Sequence, residues 1–292
     1  MIRHLKYHEI DFEKYHHCIE NSAQQNFYVQ KENLDFLCPN WELFVLNDYE
    51  AVMPVPIKKK FGFKVVAMPL FAQQFGIFSK EDNSLINDEF LRFLHQKFNV
   101  FYYAFNAQNQ LSAELQTRKN YIAEKQQYVQ LRKNYFKGRK STVKSAQNLV
   151  FKELQLNEEL ISFISKYHKG LEKSSDLNKL IGYIHFLNLN KKLKIFGSFE
   201  NEKLNTLAVL TDFNNELSLL SLINDERQSG KNGASFLIDR ILKENISNKS
   251  FNFMGGSIRG IEVFFKSFGS ENFEYPVILT SRIGLLKSAF SK

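Results

Sequence analysis

Two stretches in the C-terminal half carry the residue types that chemistry needs. The first is residues 224–234, NDERQSGKNGA. An apolar run at 216–223 feeds this loop, and helical spacing begins at Gly233. Backbone N–H groups left open at a helix start, together with the helix dipole, suit an anionic diphosphate. Arg227, Gly230, Lys231, Asn232, Gly233 and Ala234 are therefore the candidate donor-binding residues, with Gly230, Gly233 and Ala234 shaping the loop and Arg227 and Lys231 supplying charge. The spacing matches neither a Walker loop nor a dinucleotide fingerprint. Asp212, Asp225 and Glu226 fall at the ends of expected core strands. A carboxylate there, its pKa raised by burial, could take a proton from an incoming amine, although turn carboxylates are more often solvated.

The second stretch is residues 251–269, FNFMGGSIRGIEVFFKSFG. A short alternating strand ends in Gly255 and Gly256, and a helical segment with Ile261, Phe264, Phe265 and Phe268 closes at Gly269. A strand, a glycine break and a helix in that order bring backbone N–H groups to a helix start. Arg259 and Lys266 lie on this segment as candidate contacts to a phosphate or carboxylate of the substrates.

A third feature is charge. From Lys125 to Lys152 there are eight basic residues and no acidic one, with Arg139, Lys140 and Lys144 on adjacent turns of one expected helix. Charges at that spacing usually mark a solvated face. An uncompensated run of one sign also attracts polyanions, so these three residues are candidate substrate contacts. The whole chain carries a net charge of +8. An RNA-binding protein would fit the basic run, but no aromatic–basic module accompanies it.

The remaining inventory excludes more than it suggests. Cys18 and Cys38 form no disulfide framework, and neither sits at metal spacing. The seven histidines are scattered, so no metal site is expected. The apolar runs, such as residues 65–72, are far shorter than a bilayer span, and the first fifteen residues carry no secretory-type run. A cytoplasmic protein without a transmembrane segment is expected. Hydrophobic residues at 43% and charged residues at 24% are those of a globular chain, and 29 Phe with 12 Tyr point to aromatic cores.

These candidates need elements to position them. Residues 1–10 alternate as a strand, and Asp11 caps a helix carrying Phe12, Tyr15 and Ile19. Residues 41–46 and 49–57 read as a hairpin about Asn47-Asp48. Pro54 and Pro56 recur there at period two, which predicts an edge strand or one that ends early. A strand at 64–70, a helix at 87–98 and a strand at 100–105 come after it, and a Gln/Asn-rich boundary spans 106–120. The order then returns: a strand at 128–131, a basic helix at 140–147, and helices at 157–171 and 177–190. A hairpin of 193–199 and 204–211 and a strand at 216–223 come next. A helix at 233–245, a strand at 250–253, a helix at 260–268 and a strand at 275–279 complete it. The fold class is α/β (α+β), in two modules, 1–118 and 119–292. Each is a mixed, mostly antiparallel sheet flanked by helices, with the tail after residue 280 packing back on the first.

With these elements laid out, the second half resembles the GNAT acyltransferase fold, and more closely the Fem-type aminoacyl transferases and their short relatives. Residues 132–146, with Arg132-Lys133 and then GRKSTVKSA, look like that family's basic strand-to-helix segment. Residues 218–242 look like its core strand, pyrophosphate-type loop and helix. Residues 251–269 look like its FDFGGS stretch and the FK and FG beyond it, here Phe265, Lys266, Phe268 and Gly269. The QQFG of residues 73–76 is similar to the N-terminal module of a short GNAT-like group. Two departures matter. GNAT coenzyme loops commonly read Q/R-x-x-G-x-G/A; Arg227 and Gly230 fit, but Asn232 replaces the small final residue. GNAT enzymes usually place a tyrosine four residues before a glycine to protonate the departing thiolate. Phe265 stands there, as in Fem-type enzymes, which favours that branch.

The resemblance implies tandem GNAT-like modules and transfer of an acyl or aminoacyl group from a thioester or ester donor to an amine by direct attack. The donor would be a coenzyme A thioester or an aminoacyl-tRNA, with no metal. Partners would be phosphate-bearing, such as tRNA or a lipid-linked precursor. A plain acetyl-coenzyme A N-acetyltransferase and a non-catalytic GNAT-like binding module are the other readings.

Overall fold

Asp11 opens the first helix in the way its chemistry dictates. Its Oδ1 accepts from the N–H groups of Glu13 and Lys14, both at 3.1 Å, and satisfies two donors that the helix itself cannot. The computed structural model describes residues 1–60, 63–171 and 173–281. By its internal contacts the chain divides into two units: residues 1–118 with the chain from Glu274 onward, and Lys119–Phe273. In this division residues 274–281 group with the first unit. The expected packing of the tail after residue 280 falls almost wholly outside the described residues.

Unit 1 runs β1 (Ile2–Leu5), α1 (Phe12–Glu20), α2 (Lys31–Leu37), β2 (Trp41–Leu46), β3 (Ala51–Lys60), β4 (Phe63–Ala67), the two-residue β5 (Phe78–Ser79), α3 (Ser84–Lys97) and β6 (Asn99–Ala104). Unit 2 begins within β7 (Gln116–Ala123) and continues through α4 (Tyr128–Lys133), α5 (Lys137–Ser145), β8 (Val150–Leu154), α6 (Glu158–Tyr167) and α7 (Ser174–Leu189). It goes on through β9 (Leu193–Glu200), β10 (Lys203–Phe213), β11 (Glu216–Asn224), α8 (Gly233–Asn245), β12 (Ser250–Asn252) and α9 (Arg259–Lys266). The last strand, β13 (Glu271–Leu279), pairs with β6 in unit 1 through Val277, Ile278 and Leu279.

The strand order is β1-β2-β3-β4-β6-β13 in unit 1 and β8-β9-β10-β11-β12-β7 in unit 2. Each unit contains a parallel pair joined through a helix: β4 with β6 across α3, and β11 with β12 across α8. The other ladders within each unit run antiparallel. The architecture is thus α/β with two modules of the same plan, β-α-α-β-β-β-α-β, the second starting at β8.

Several expectations change. Residues 128–131 are not a strand but the first turn of α4, with Leu131 fully buried. So short an apolar run carries no usable period. The strand lies earlier, at β7, where the Gln/Asn-rich boundary was expected. Its Gln, Arg, Lys and Asn residues conceal an element whose Tyr121 and Ala123 are buried. Helix α2 and strand β8 are also additions. Strand β3 is interior, not an edge, since β2 flanks residues 51–56 and β4 flanks 57–60. Its prolines fall where β4 has not yet begun, so their missing N–H groups cost no bond in that ladder.

Unit 2 is held by an apolar cluster in which Leu237, Ile238, Ile241 and Leu242 of α8 meet Phe251, Phe253, Phe265 and Phe268. Full burial of each such side chain is worth about 1.5–3 kcal/mol. This fixes α8 and α9 on the sheet on either side of the 251–258 segment.

Candidate functional site

Strands β11 and β12 pair only at Glu216–Ser218 with Ser250–Asn252. Beyond that point they part. Two local causes are visible. In the β10–β11 ladder, Val209 faces Ser221 while Leu210 faces Leu219, so Leu220 is the extra residue of a bulge that bends β11. On the other side, Met254, Gly255 and Gly256 take φ values of +62°, +136° and +142°, which turn the chain off the line of β12. The Gly255 N–H donates to Asn120 Oδ1 at 3.1 Å, tying the turn to β7. A Cβ on Gly256 would lie 2.5 Å from the Tyr121 ring, so only glycine fits there.

The gap is a cleft of about 600 Å³. Its walls are residues 219–222 of β11, residues 253–258, the inner face of α9, Ala234 at the start of α8, and His168 at the end of α6. The walls are largely apolar, and Ile258 and Ile261 are 66% and 41% exposed at them. Past Ser218, the flank of β11 toward β12 has left its ladder, so its main-chain groups line an apolar cleft.

His168 and Lys169 are the titratable residues of this lining. Lys169 is ion-paired to Glu226. The Nδ1 of His168 is buried without a hydrogen-bond partner, and burial lowers the imidazole below its ordinary value of 6.5. The ring is therefore neutral at pH 7. In the sequence this histidine belongs with the scattered ones. Nothing in its neighbours marks it, because the cleft that makes it interesting is built by β11 and α9.

The loop before α8 is arranged differently from expectation. Residues Glu226–Lys231 form a 3₁₀ segment that includes Gly230, opened by Asp225. Asp225 is 3% exposed, accepts from Arg227 at N, Nε and Nη2 at 2.6–3.1 Å, and is held down to about 2 chiefly by that guanidinium. It is ionised, and its lowered pKa and its bonds to Arg227 make it a weak proton acceptor, not the carboxylate of raised pKa expected there. Arg227 also donates to Tyr167 OH. Lys231 pairs with Glu200 at 3.1 Å. The expected charge of Arg227 and Lys231 is thus offset by the protein's own carboxylates. Asn232 sits at the α8 start with φ +61°, provides no side-chain cap, and donates to Ser145 Oγ at 3.2 Å. Gly233 has a packing reason: a Cβ there would lie 1.7 Å from Asn205 Oδ1 and 2.3 Å from Thr206 Oγ1. Of the loop candidates, Ala234 reaches the cleft.

Two further carboxylates leave the site. Glu226 is an exposed partner of Lys169. Asp212 is ion-paired to Lys249 and faces Leu217, at the end of the sheet where β11 and β12 are still joined. Seven residues of strand separate Leu217 from Asn224, roughly 20 Å.

Of the basic candidates, Arg139 is a structural tie. It bonds Ser267 Oγ at 2.8 Å and Ser235 Oγ, and its guanidinium lies 4.5 and 4.8 Å from the Phe264 and Phe268 rings. It joins α5 to α8 and α9 and is not a free charge. Lys140 donates to Lys133 O and borders a shallow hollow of about 360 Å³ with Tyr128, Arg132 and Lys133. Lys144, Arg259 and Lys266 are exposed. Phe265 is buried against Phe253, with ring centroids 4.8 Å apart. Among the described residues no His, Cys, Asp or Glu cluster of metal-holding size occurs, and no helix is long and apolar enough to cross a membrane.

Comparison with solved structures decides the fold. The crystal structure of FemX superposes with a TM-score of 0.66 at 9% identity, over 97% of this chain and 99% of that one. The chain has a GNAT-like, Fem-type fold. A tandem GNAT protein from the clavulanic acid biosynthesis pathway matches at a TM-score of 0.57 and 7% identity, over 95% and 97% of the two chains. L-PGS from Bacillus licheniformis matches at 0.52 and 13%, over 96% and 95%. No protein-family model and no curated protein sequence matches the chain.

Proposed function

We propose that the unit 2 cleft holds an activated acyl or aminoacyl donor beside an amine and transfers the group directly between them. One observation carries this reading: the parallel strands part at a bulge, directly beside the start of a 13-residue helix, and leave an apolar cleft lined by a neutral imidazole. The structures superposed above include FemX and a tandem GNAT protein, and the gap between β11 and β12 in this chain suits a thioester or ester donor. The cytoplasm, where both donors occur, is part of the proposal.

The chemistry is set by the walls. The amine nitrogen attacks the donor carbonyl, forming the C–N bond, and main-chain N–H groups of β11 around Leu220 donate to the developing oxyanion. His168 takes the proton that the nitrogen sheds, for which a neutral imidazole of lowered pKa is suited. The C–S or C–O bond then breaks, and the leaving group takes its proton from solvent, since Phe265 has none to give. Alignment in an enclosed apolar cleft supplies the rest. The donor phosphates would meet the α8 start through backbone, because Arg227 and Lys231 are occupied.

Calorimetric titration with coenzyme A, and a gel shift with aminoacyl-tRNA, test the donor. Binding of either, weakened at least about tenfold by Ala234→Asp without a fall in melting temperature, supports the site. Binding of neither would leave a GNAT-like binding module. Tight binding of coenzyme A with acetyl transfer to simple amines would select the plain N-acetyltransferase; binding of aminoacyl-tRNA alone would select the Fem-type reaction. A lipid-linked precursor enters as an acceptor only in that second case.

A further inference from the structure

The unit 2 cleft also restricts what can be transferred in it. The part of its wall that is open to solvent is apolar. Leu220 and Leu222 of β11, Met254 of the turn and Phe264 of α9 are half-buried there, and Ile258 and Ile261 are exposed. The bulge helps to build this wall. Leu219 faces Leu210 and Leu222 faces Ala208, so both leucines lie on the face of the sheet that α8 packs. On an unbulged strand Ser221, two residues on from Leu219, would take that face. The extra residue thus puts an isobutyl group where a hydroxyl would have been. Charge is treated in the opposite way. Among the described residues no Asp or Glu lines the cleft. Asp225 and Glu226, which come directly after the lining residue Asn224, are held by Arg227 and Lys169. An ammonium carried into such a space loses its water and meets no counter-charge, which disfavours it. An aminoacyl group bears an ammonium beside its carbonyl, whereas a plain acyl group bears none. An acetyl group, at the other extreme, would leave most of a cleft of about 600 Å³ and its isoleucines uncovered.

We infer that the group transferred in this cleft is an uncharged aliphatic acyl chain, longer than acetyl, that lies against Leu222, Met254, Ile258 and Ile261. The inference rests on the transfer reading above and names its substrate class. Exposed apolar surface gathered in a concave wall marks a place where an apolar ligand is taken up. Covering that wall with a chain removes both surfaces from water, so affinity rises with each methylene until the cleft is filled.

Three amides stand in for the acyl group: acetamide, hexanamide and norleucinamide, the last being hexanamide with an ammonium beside its carbonyl. Each would be titrated into the full chain carrying isotope-labelled isoleucine methyl groups and followed by NMR. The Ile258 and Ile261 signals are assigned by their loss in Ile258→Val and Ile261→Val. Both should shift saturably with hexanamide, at a concentration at least about tenfold below that needed for acetamide. Norleucinamide in its ammonium form should bind at least about tenfold more weakly than hexanamide. Ile261→Glu supplies a counter-charge and should narrow or reverse that preference. Ile261 is 41% exposed, so the variant should fold, as its melting temperature would show. Ile258→Glu, at the more exposed position, serves if it does not. Val263→Glu, exposed on α9 away from the lining, should leave the titrations unchanged. Equal affinity for acetamide and hexanamide, no shift with either, or norleucinamide bound as tightly as hexanamide would overturn the inference. The titrations involve neither donor nor turnover. Hexanamide bound in the expected order, with no transfer from any donor, would therefore sink the transfer reading and leave recognition of the chain standing. Transfer of an acetyl or aminoacyl group by a protein that does not prefer hexanamide would do the reverse.

Discussion

In unit 1 the parallel pair β4/β6 is continued at once by the chain's own backbone. The Met68 N–H donates to Tyr102 O, and after a short loop the Phe75 N–H donates to Ala104 O, so residues 68–78 occupy the flank of β6 that β4 leaves. Phe75, Ile77 and Phe78 are fully buried there. Tyr103 OH bonds Pro54 O at 2.9 Å and accepts from Gly76 N–H. The next helix, α3, is capped by Asn83, which accepts from the N–H groups of Leu85 and Ile86. In unit 2 the equivalent pair stops after Ser218, no side-chain cap comes from Asn232, and the gap is a cleft. The same topology is therefore filled in one unit and open in the other. The difference lies in the segment that leaves the first strand of each parallel pair. An eleven-residue, largely hydrophobic return fills the gap in unit 1, while a polar 3₁₀ loop leads directly to α8 in unit 2.

Removing the plug is the strongest challenge to this contrast. Phe75→Ala should cost about 3–5 kcal/mol in urea unfolding, as a fully buried ring does. A loss below about 1 kcal/mol would mean that residues 68–78 only cover the gap. By contrast, Ile261→Ala, at the wall of the open cleft, should stay within about 0.5 kcal/mol.

His168→Gln comes next. Once a donor is identified, it should lower kcat about a hundredfold or more while donor binding stays within about twofold. The parent rate should fall with acid as the imidazole takes its proton, at a pH below the ordinary 6.5 because burial disfavours the charged ring. The variant should lack that acid limb. An unchanged pH–rate profile would remove His168 from the chemistry.

Two glycine substitutions probe packing beside the cleft. Gly233→Ala should destabilise by about 1–3 kcal/mol, although alanine is the better helix former, because its Cβ would collide with Asn205 and Thr206. Gly260→Ala, with nothing within 4 Å, should gain up to about 1 kcal/mol. Thermal melts of both read the sign directly.

The smallest effect concerns the loop. Asp225 has a folded value of about 2 against an ordinary 3.8, so the unfolded chain protonates first as pH falls. Its contribution to stability is present above about pH 4 and is lost between there and pH 2. Asp225→Asn should flatten the melting temperature over that window and change little at pH 7 beyond a constant offset. A parent curve that is already flat there would show that Arg227, 72% exposed, does not hold the carboxylate in solution.

Much of this molecule is written in local sequence. Asp11 and its helix, the hairpins, the β11–loop–α8 passage and the glycine pair before α9 are set by alternation, capping and φ > 0, all of which act over a few residues. Strand β7 is illegible because its polar side chains mask the period, and α4 because six residues are too few to show a helical period. The chain alone could not decide which charges are free. Arg139, Arg227, Lys231 and Asp225 stand in sequence as candidate chemistry, but folding gives each a partner. Folding also brings an inconspicuous histidine into the cleft, because the bulge at Leu220 and the turn at Met254 leave a gap beside it. Pairing and burial are set by elements distant in sequence, and those are what select the groups available for reaction.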